Sequence, residues 1–385
     1  MAIGSLTRIR LVSAGGRRHL GWAEGRRFTL PSAMLTSPAL SSRLTSAGDL
    51  TLPAEAVGWT DADAARVREH AAFTDNPPVS SRLPFHYHLV PGIVRAGLAA
   101  VIGRWQRRRE REWARFPGWP LDLTADFVAD AARDGDPDES SSTPVVLSHD
   151  IDSAEGLTNL VEDFLPCEEA AGARSTNYVV PCAWPLDHAR IGAVIARGHE
   201  IGIHGFDHSN RTPFADAGER ARRLDAARPL MERYATIGYR APSLLRTRAL
   251  LEDLSIRYRY DSSIPTSGGP FPVPNNGCAT ARPFVVERIA ELPLTLPRDG
   301  SLRFLGHSPR EIARLWIDCA DLIARSHGIV MLLTHCERRF SGNPPMLGAY
   351  RRFLDYVAEA GDRFRFVTAA ALWRERFEAA GAHDR

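Results

Sequence analysis

Residues 148–153 read SHDIDS and follow the apolar run Val145-Val146-Leu147. Two acids, Asp150 and Asp152, stand at the end of an extended segment with one apolar residue between them. Side chains on a strand return to the same face every second residue, so both carboxylates can face one site while Ile151 points into the wall. Further along, HEIGIH ends in His204, and His208 follows four residues later. Arg240 closes IGYR, Asp261 closes YRYD and His335 closes GIVMLLTH. Two imidazoles and a carboxylate form a common catalytic zinc set with a position left open for water. A second carboxylate can take a proton from that water, and a distant histidine can protonate a leaving nitrogen. The chemistry these residue types allow is metal-assisted hydrolysis.

Each fragment is weak alone, and the placement strengthens it. D-x-D recurs at Asp61/Asp63, Asp134/Asp136 and Asp136/Asp138, but always in polar surroundings. Only Asp150/Asp152 follows an apolar strand. The competing reading of the two acids is a helix cap, a role that Ser153 fits better. His204 and His335 could instead be hydrogen-bonded core histidines, Arg240 a surface arginine and Asp261 a strand-end cap. His86 and His88 in PFHYHLV have ligand spacing along a strand, without a third ligand nearby. Trp105, Trp113 and Trp119, near Phe116, could stack a sugar, but helix packing is the better account.

The elements that must position these residues begin at Pro144. Strand-like VVLSHD, STNYVV, HEIGIH, IGYRAP, YRYDSS, GIVMLLTH and RFRFVT alternate with helical stretches at 157–171, 186–197, 215–234, 246–254, 309–326, 346–360 and 369–380. FVVERIAELPLTLP adds two extended pieces. Such alternation predicts parallel pairing, and seven or so repeats favour a barrel, whose chemistry gathers at the C-terminal strand ends. Before it, residues 1–140 read as an α+β extension. Short strands RIRLVS, HLGW and RFTL come first, then helices from Pro91 to about Arg115 and from Ala125 to Arg133. The turn-rich DGDPDESSST, 134–143, marks the boundary with a barrel domain at 144–385.

Composition bounds the rest. With 44% apolar and 24% charged residues, the 385-residue chain is ordinary globular protein. Its net charge of +2 by itself suggests neither nucleic acid nor an acidic membrane. All 48 basic residues are Arg. Five widely spaced cysteines argue against a disulfide framework and for a reducing compartment. The first residues lack a signal-peptide core, so a cytoplasmic location is expected. No apolar run reaches the ~18 residues of a membrane span. Ile93 to Ile102, leading into RWQRRRERE, could lie on a membrane as a basic amphipathic helix; a surface helix with a charged end is the plainer reading.

The succession SHDIDS, HGFDH, YRAPS, YDSS and LLTH resembles the polysaccharide deacetylases with a NodB-homology domain, carbohydrate esterase family 4, over about residues 144–385. The resemblance implies a distorted (β/α)7-type barrel and one divalent metal ion, with zinc expected. It also implies hydrolysis of an N-acetyl group on an amino sugar, or on a glycan or metabolite containing one. It makes Asp150 the general base and Asp152, His204 and His208 the metal ligands. Arg240 would hold the base, His335 would be the general acid, and Asp261 an acid that tunes the site. The departures are specific. Ile151 separates acids that are commonly adjacent, and Ser153 stands where Gly is usual, which looks like the family's D-x-D branch. Ser243 and Leu244 follow Pro242 where Gly is common, and no Asp-Trp pair lies near Asp261. A ring-opening amidohydrolase of allantoinase or cyclic-imidase type is the alternative. A glycosidase needs no histidine pair, and a non-catalytic sugar-binding module needs no complete set of base, ligands and acid. The expected partner is a glycan or small molecule bearing an acetamido group.

Overall fold

The computed structural model describes residues 9–14, 18–23, 26–30, 50–52, 60–70, 72–74, 76–82, 91–110, 119, 121–131, 142–267 and 277–379. His86, His88, Trp113, Phe116 and most of the 134–143 boundary lie outside the described residues. The N-terminal part forms an antiparallel sheet of β1 (Ile9–Ala14), β2 (Arg18–Ala23), β3 (Arg26–Leu30) and β4 (Leu50–Leu52), ordered β3-β2-β1-β4. RIRLVS, HLGW and RFTL are its first three strands. Helices Asp61–His70, Gly92–Arg108 and Thr124–Ala131 follow.

The second sheet contains β5 (Thr143–Ile151), β6 (Ser175–Val179), β7 (Glu200–His204), β8 (Gly238–Arg240), β9 (Tyr260–Asp261), β10 (Phe284–Val286), β11 (Ile289–Glu291), β12 (Val330–His335) and β13 (Phe364–Phe366). The order is β10-β11-β9-β8-β7-β6-β5-β12, with β13 beside the start of β5. Every pairing from β11 through to β12 is parallel, and β10 folds back antiparallel on β11. Extended residues 292–296 join the two sides of this curled sheet. The N–H of Leu294 donates to Ile264 O and that of Leu296 to Met331 O, both at 3.0 Å. The result is a distorted (β/α) barrel closed in part by irregular chain.

Alternation decides what faces inward. Val145, Leu147 and Ile151 of β5 pack outward into the layer under the helices, with Trp316, Ile323, Phe353 and Leu354. Val146 packs inward with Tyr178, Tyr260, Met331 and Leu333, over Trp373 and Phe377 from the chain's last described turns. The same parity turns Asp150 and Asp152 to the interior and sends His149 outward to Glu168, 2.7 Å away.

Two helical readings change. The single helix expected over 215–234 is two, Ala217–Asp225 and Arg228–Tyr234. Pro229 in the first turn of the second explains the break, since its ring clashes with the carbonyl four residues back and offers no N–H. The helix expected from Leu157 starts at Ala154, because Ser153 Oγ accepts from Gly156 N–H at 3.1 Å. All five cysteines are free thiols. No helix among the described residues is long and apolar enough to cross a membrane.

Candidate active site

The ends of β8 and β7, and of β5 and β12 on the far side of β6, carry the polar groups. β7 ends in His204, whose Nδ1–H donates to the Arg240 carbonyl at 3.0 Å. A carbonyl can only accept, so the proton sits on Nδ1 and Nε2 presents a lone pair. Gly205 then turns the chain with φ 69°, where a Cβ would fall 2.5 Å from the Pro242 ring. Only glycine meets both demands. The turn brings His208, itself at φ 59°, round to the same side. Asp207 stabilises that turn by accepting from Ser209 N–H at 2.9 Å, with Arg223 beside it at 3.5 Å.

Asp152 Oδ1 stands 3.6 Å from His204 Nε2 and 3.4 Å from His208 Nε2. Bonds of ~2.1 Å in a tetrahedron put neighbouring ligand atoms about 3.4 Å apart, so these spacings suit one small divalent ion. The three ligand atoms all lie within 4.8 Å of one another. Asp152 Oδ1 is buried and has no hydrogen-bond partner, which is costly unless a cation satisfies it. Burial alone would raise this carboxyl's pKa, but His208, His335 and His204 outweigh it and hold the group below the usual range. The donor set therefore fits a metal of the zinc type.

Asp150 is tied differently. Its Oδ1 accepts from Arg240 Nη1 at 3.1 Å, while Oδ2 lies 3.5 Å from His204 Nε2. Arg240 is fully buried and saturated. It donates to Ser148 Oγ, Ser262 O and Ser262 Oγ, each at 3.0 Å, and its guanidinium lies 4.1 Å from the Tyr178 ring centroid. Replacing it with methionine strands Asp150 in the interior, and a thermal melt should show a loss of about 3–5 kcal/mol. An unchanged melting temperature would count against this ion pair.

His335 ends β12 in register with Asp150 of β5. Asp299 grips it twice: Oδ1 accepts from His335 Nδ1–H and Oδ2 from His335 N–H, both at 2.8 Å. Ser341 Oγ also donates to Asp299 Oδ2 at 2.7 Å. Burial disfavours the imidazolium, but Asp299, with Asp152 and Asp150 farther off, outweighs that and raises the His335 pKa to about 9.

No protein-family model matches the chain, and no curated protein matches it in sequence. Among solved structures, PuuE allantoinase aligns over 69% of this chain and 99% of its own, with 18% identity and a TM-score of 0.51. A probable polysaccharide deacetylase from Pseudomonas aeruginosa PAO1 aligns over 61% of this chain and 91% of its own, with 17% identity and a TM-score of 0.49. The chain shares the fold of PuuE allantoinase. At these identities the likeness is one of fold, and the chemistry of this barrel follows from its own residues.

Six of the seven expected site residues, Asp150, Asp152, His204, His208, Arg240 and His335, meet at the mouth of the barrel. Asp261 does not. It pairs in register with the outward-facing Tyr239, so its side chain lies behind the wall. There Ser263 Oγ donates to it at 2.6 Å. Burial raises its pKa, and burial with the neighbouring Asp261 charge pushes that of Glu291 well above the ordinary value. Ser262, one residue on, is the group that reaches Arg240. The acid that contacts a strand-end histidine is Asp299, 38 positions later, where the irregular closing segment ends.

Glu337 also went unread. Its Oε1 accepts from Asp152 N–H at 3.1 Å and from Ser153 Oγ at 2.8 Å, which braces the ligand-bearing turn. Burial, then the nearby Asp152 charge, raises its pKa to about 7. Its one sequence signal was its place, two residues beyond the strand-end His335.

Proposed function

We propose that this protein is a metal-dependent amide hydrolase that removes an N-acetyl group from an amino sugar, free or within a glycan or metabolite. One observation carries the reading: the ligand set Asp152, His204 and His208 shares a barrel mouth with an arginine-held carboxylate and an aspartate-held imidazole. A divalent ion, zinc by donor type, would supply Lewis acidity toward the acetamide carbonyl and acidify bound water when held there.

The chain's own groups then have distinct roles. Asp150, fixed by Arg240, takes the proton of the attacking water. His335 delivers a proton to the departing nitrogen, because an amine leaves poorly unless protonated as the C–N bond breaks. Asp299 keeps the His335 Nδ1–H engaged, so Nε2–H is the proton offered to substrate.

The test is acetate release from N-acetylated amino sugars, with metal analysis alongside. Chelation should abolish turnover, zinc should restore it at one ion per chain, and His204→Ala should lose the ion. Stoichiometric binding that survives loss of both histidines would overturn the ligand assignment. The likeness to PuuE allantoinase supports a second reading, ring opening of a cyclic amide by the same groups. Product analysis separates them: ring opening yields one product and no acetate.

A further inference from the structure

The Gly92–Arg108 helix has two apolar faces, and the described protein covers one. The inner face lies on the Asp299–Phe304 helix so closely that a Cβ at Gly103 would fall 1.7 Å from Phe304 O. Arg107 reaches His307 just beyond. The outer face carries Val94, Leu98, Val101 and Trp105, which are 57, 63, 62 and 52% exposed. Their spacing of four, three and four residues makes one stripe, roughly 16 Å long at 1.5 Å per residue. The other large hydrophobics as exposed among the described residues, Val79, Ile256 and Val285, lie singly on other elements. A stripe of this kind marks a contact surface.

Charge selects the occupant. Residues 91–110 contain five arginines and one acid, Glu110, which lies 3.2 Å from Arg107. Arg104 and Arg108 are exposed on one flank of the stripe, and neither is held in an ion pair among the described residues. The Arg109 guanidinium lies 4.6 Å from the Trp105 ring centroid. A second copy of this helix would bring more arginine and no acid beyond Glu110, which Arg107 already engages. Lipid phosphates supply the countercharge, and the acyl boundary beneath them takes the apolar stripe and the indole.

We propose that this face docks the protein on an anionic lipid bilayer. The docked helix would sit one helix away from the candidate active site, because the helix beneath it begins with Asp299. The inference does not rest on the catalytic reading, since its test measures binding alone.

The full chain should co-sediment with vesicles of phosphatidylcholine containing roughly 30% phosphatidylglycerol, and bind pure phosphatidylcholine at least about tenfold more weakly. Leu98→Glu with Val101→Glu should weaken binding by about tenfold or more, since both charges enter the buried stripe. Arg104→Gln with Arg108→Gln should weaken it and flatten its dependence on salt. All four positions are exposed, so melting temperatures should not move. No binding to the anionic vesicles, or binding indifferent to the Leu98/Val101 pair, would overturn the proposal. So would a dimer in sedimentation velocity that this pair dissociates while vesicles capture nothing, an outcome that assigns the face to a second copy.

Discussion

Asp150→Asn is expected to keep the metal ion and to lose turnover by about 10²–10⁴ or more. An amide is nearly isosteric with the carboxylate and can still meet the Arg240 network, but it cannot accept the proton of an attacking water. Asp152→Asn should act in reverse, weakening the ion itself, because Asp152 Oδ1 is the buried oxygen that both histidine Nε2 atoms face. Metal analysis and turnover on the two variants together make the check. Equal loss of metal from both would mean that base and ligand are wrongly divided between them.

His335→Ala should retain the metal and lose about 10²–10⁴ in amide cleavage, the range of a well-placed proton donor. The deficit should shrink on an ester substrate, whose alkoxide leaves with less help than an amine. Equal loss on both bonds would make His335 an oxyanion or packing residue. Asp299→Asn gives an independent reading of the same group. With its pKa raised to about 9, His335 is protonated at neutral pH, and turnover should fall as pH rises through that value. Without the Asp299 carboxylate, the alkaline limb should move toward the ordinary histidine pKa of about 6.5. The pair's contribution to stability carries the same sign: complete below about 6.5 and lost as pH rises through about 9. A pH profile identical to wild type would separate Asp299 from the acid.

Local pattern made much of this barrel legible. Apolar runs of strand length alternate with helical stretches, and each run ends in the residue whose chemistry matters. Since a strand's side chains alternate, the D-x-D spacing by itself put Asp150 and Asp152 on one face and Ile151 in the wall. The four-residue spacing of His204 and His208 likewise needed only the turn at Gly205. Arg240 and His335 were legible as polar ends of buried strands.

What stayed hidden depends on contacts across long stretches of chain or on parity in very short elements. β9 is two residues long, and its pattern alone could not say whether Asp261 or Ser262 faces inward. Pairing with Tyr239 of β8 decided it, and turned Asp261 behind the wall toward Glu291. Asp299 follows an irregular segment with no strand period to reveal its direction. It becomes the partner of His335 only because residues 292–296 lie between Ile264 and Met331 and close the sheet. Glu337 meets Asp152 across 185 positions. The sequence alone marked Asp150, Asp152, His204, His208, Arg240 and His335 as residues of strand ends and the turn beyond one of them, because that placement follows from local repeats. Tertiary structure decided which buried carboxylates serve them, because a buried charge is set by whichever distant donors reach it.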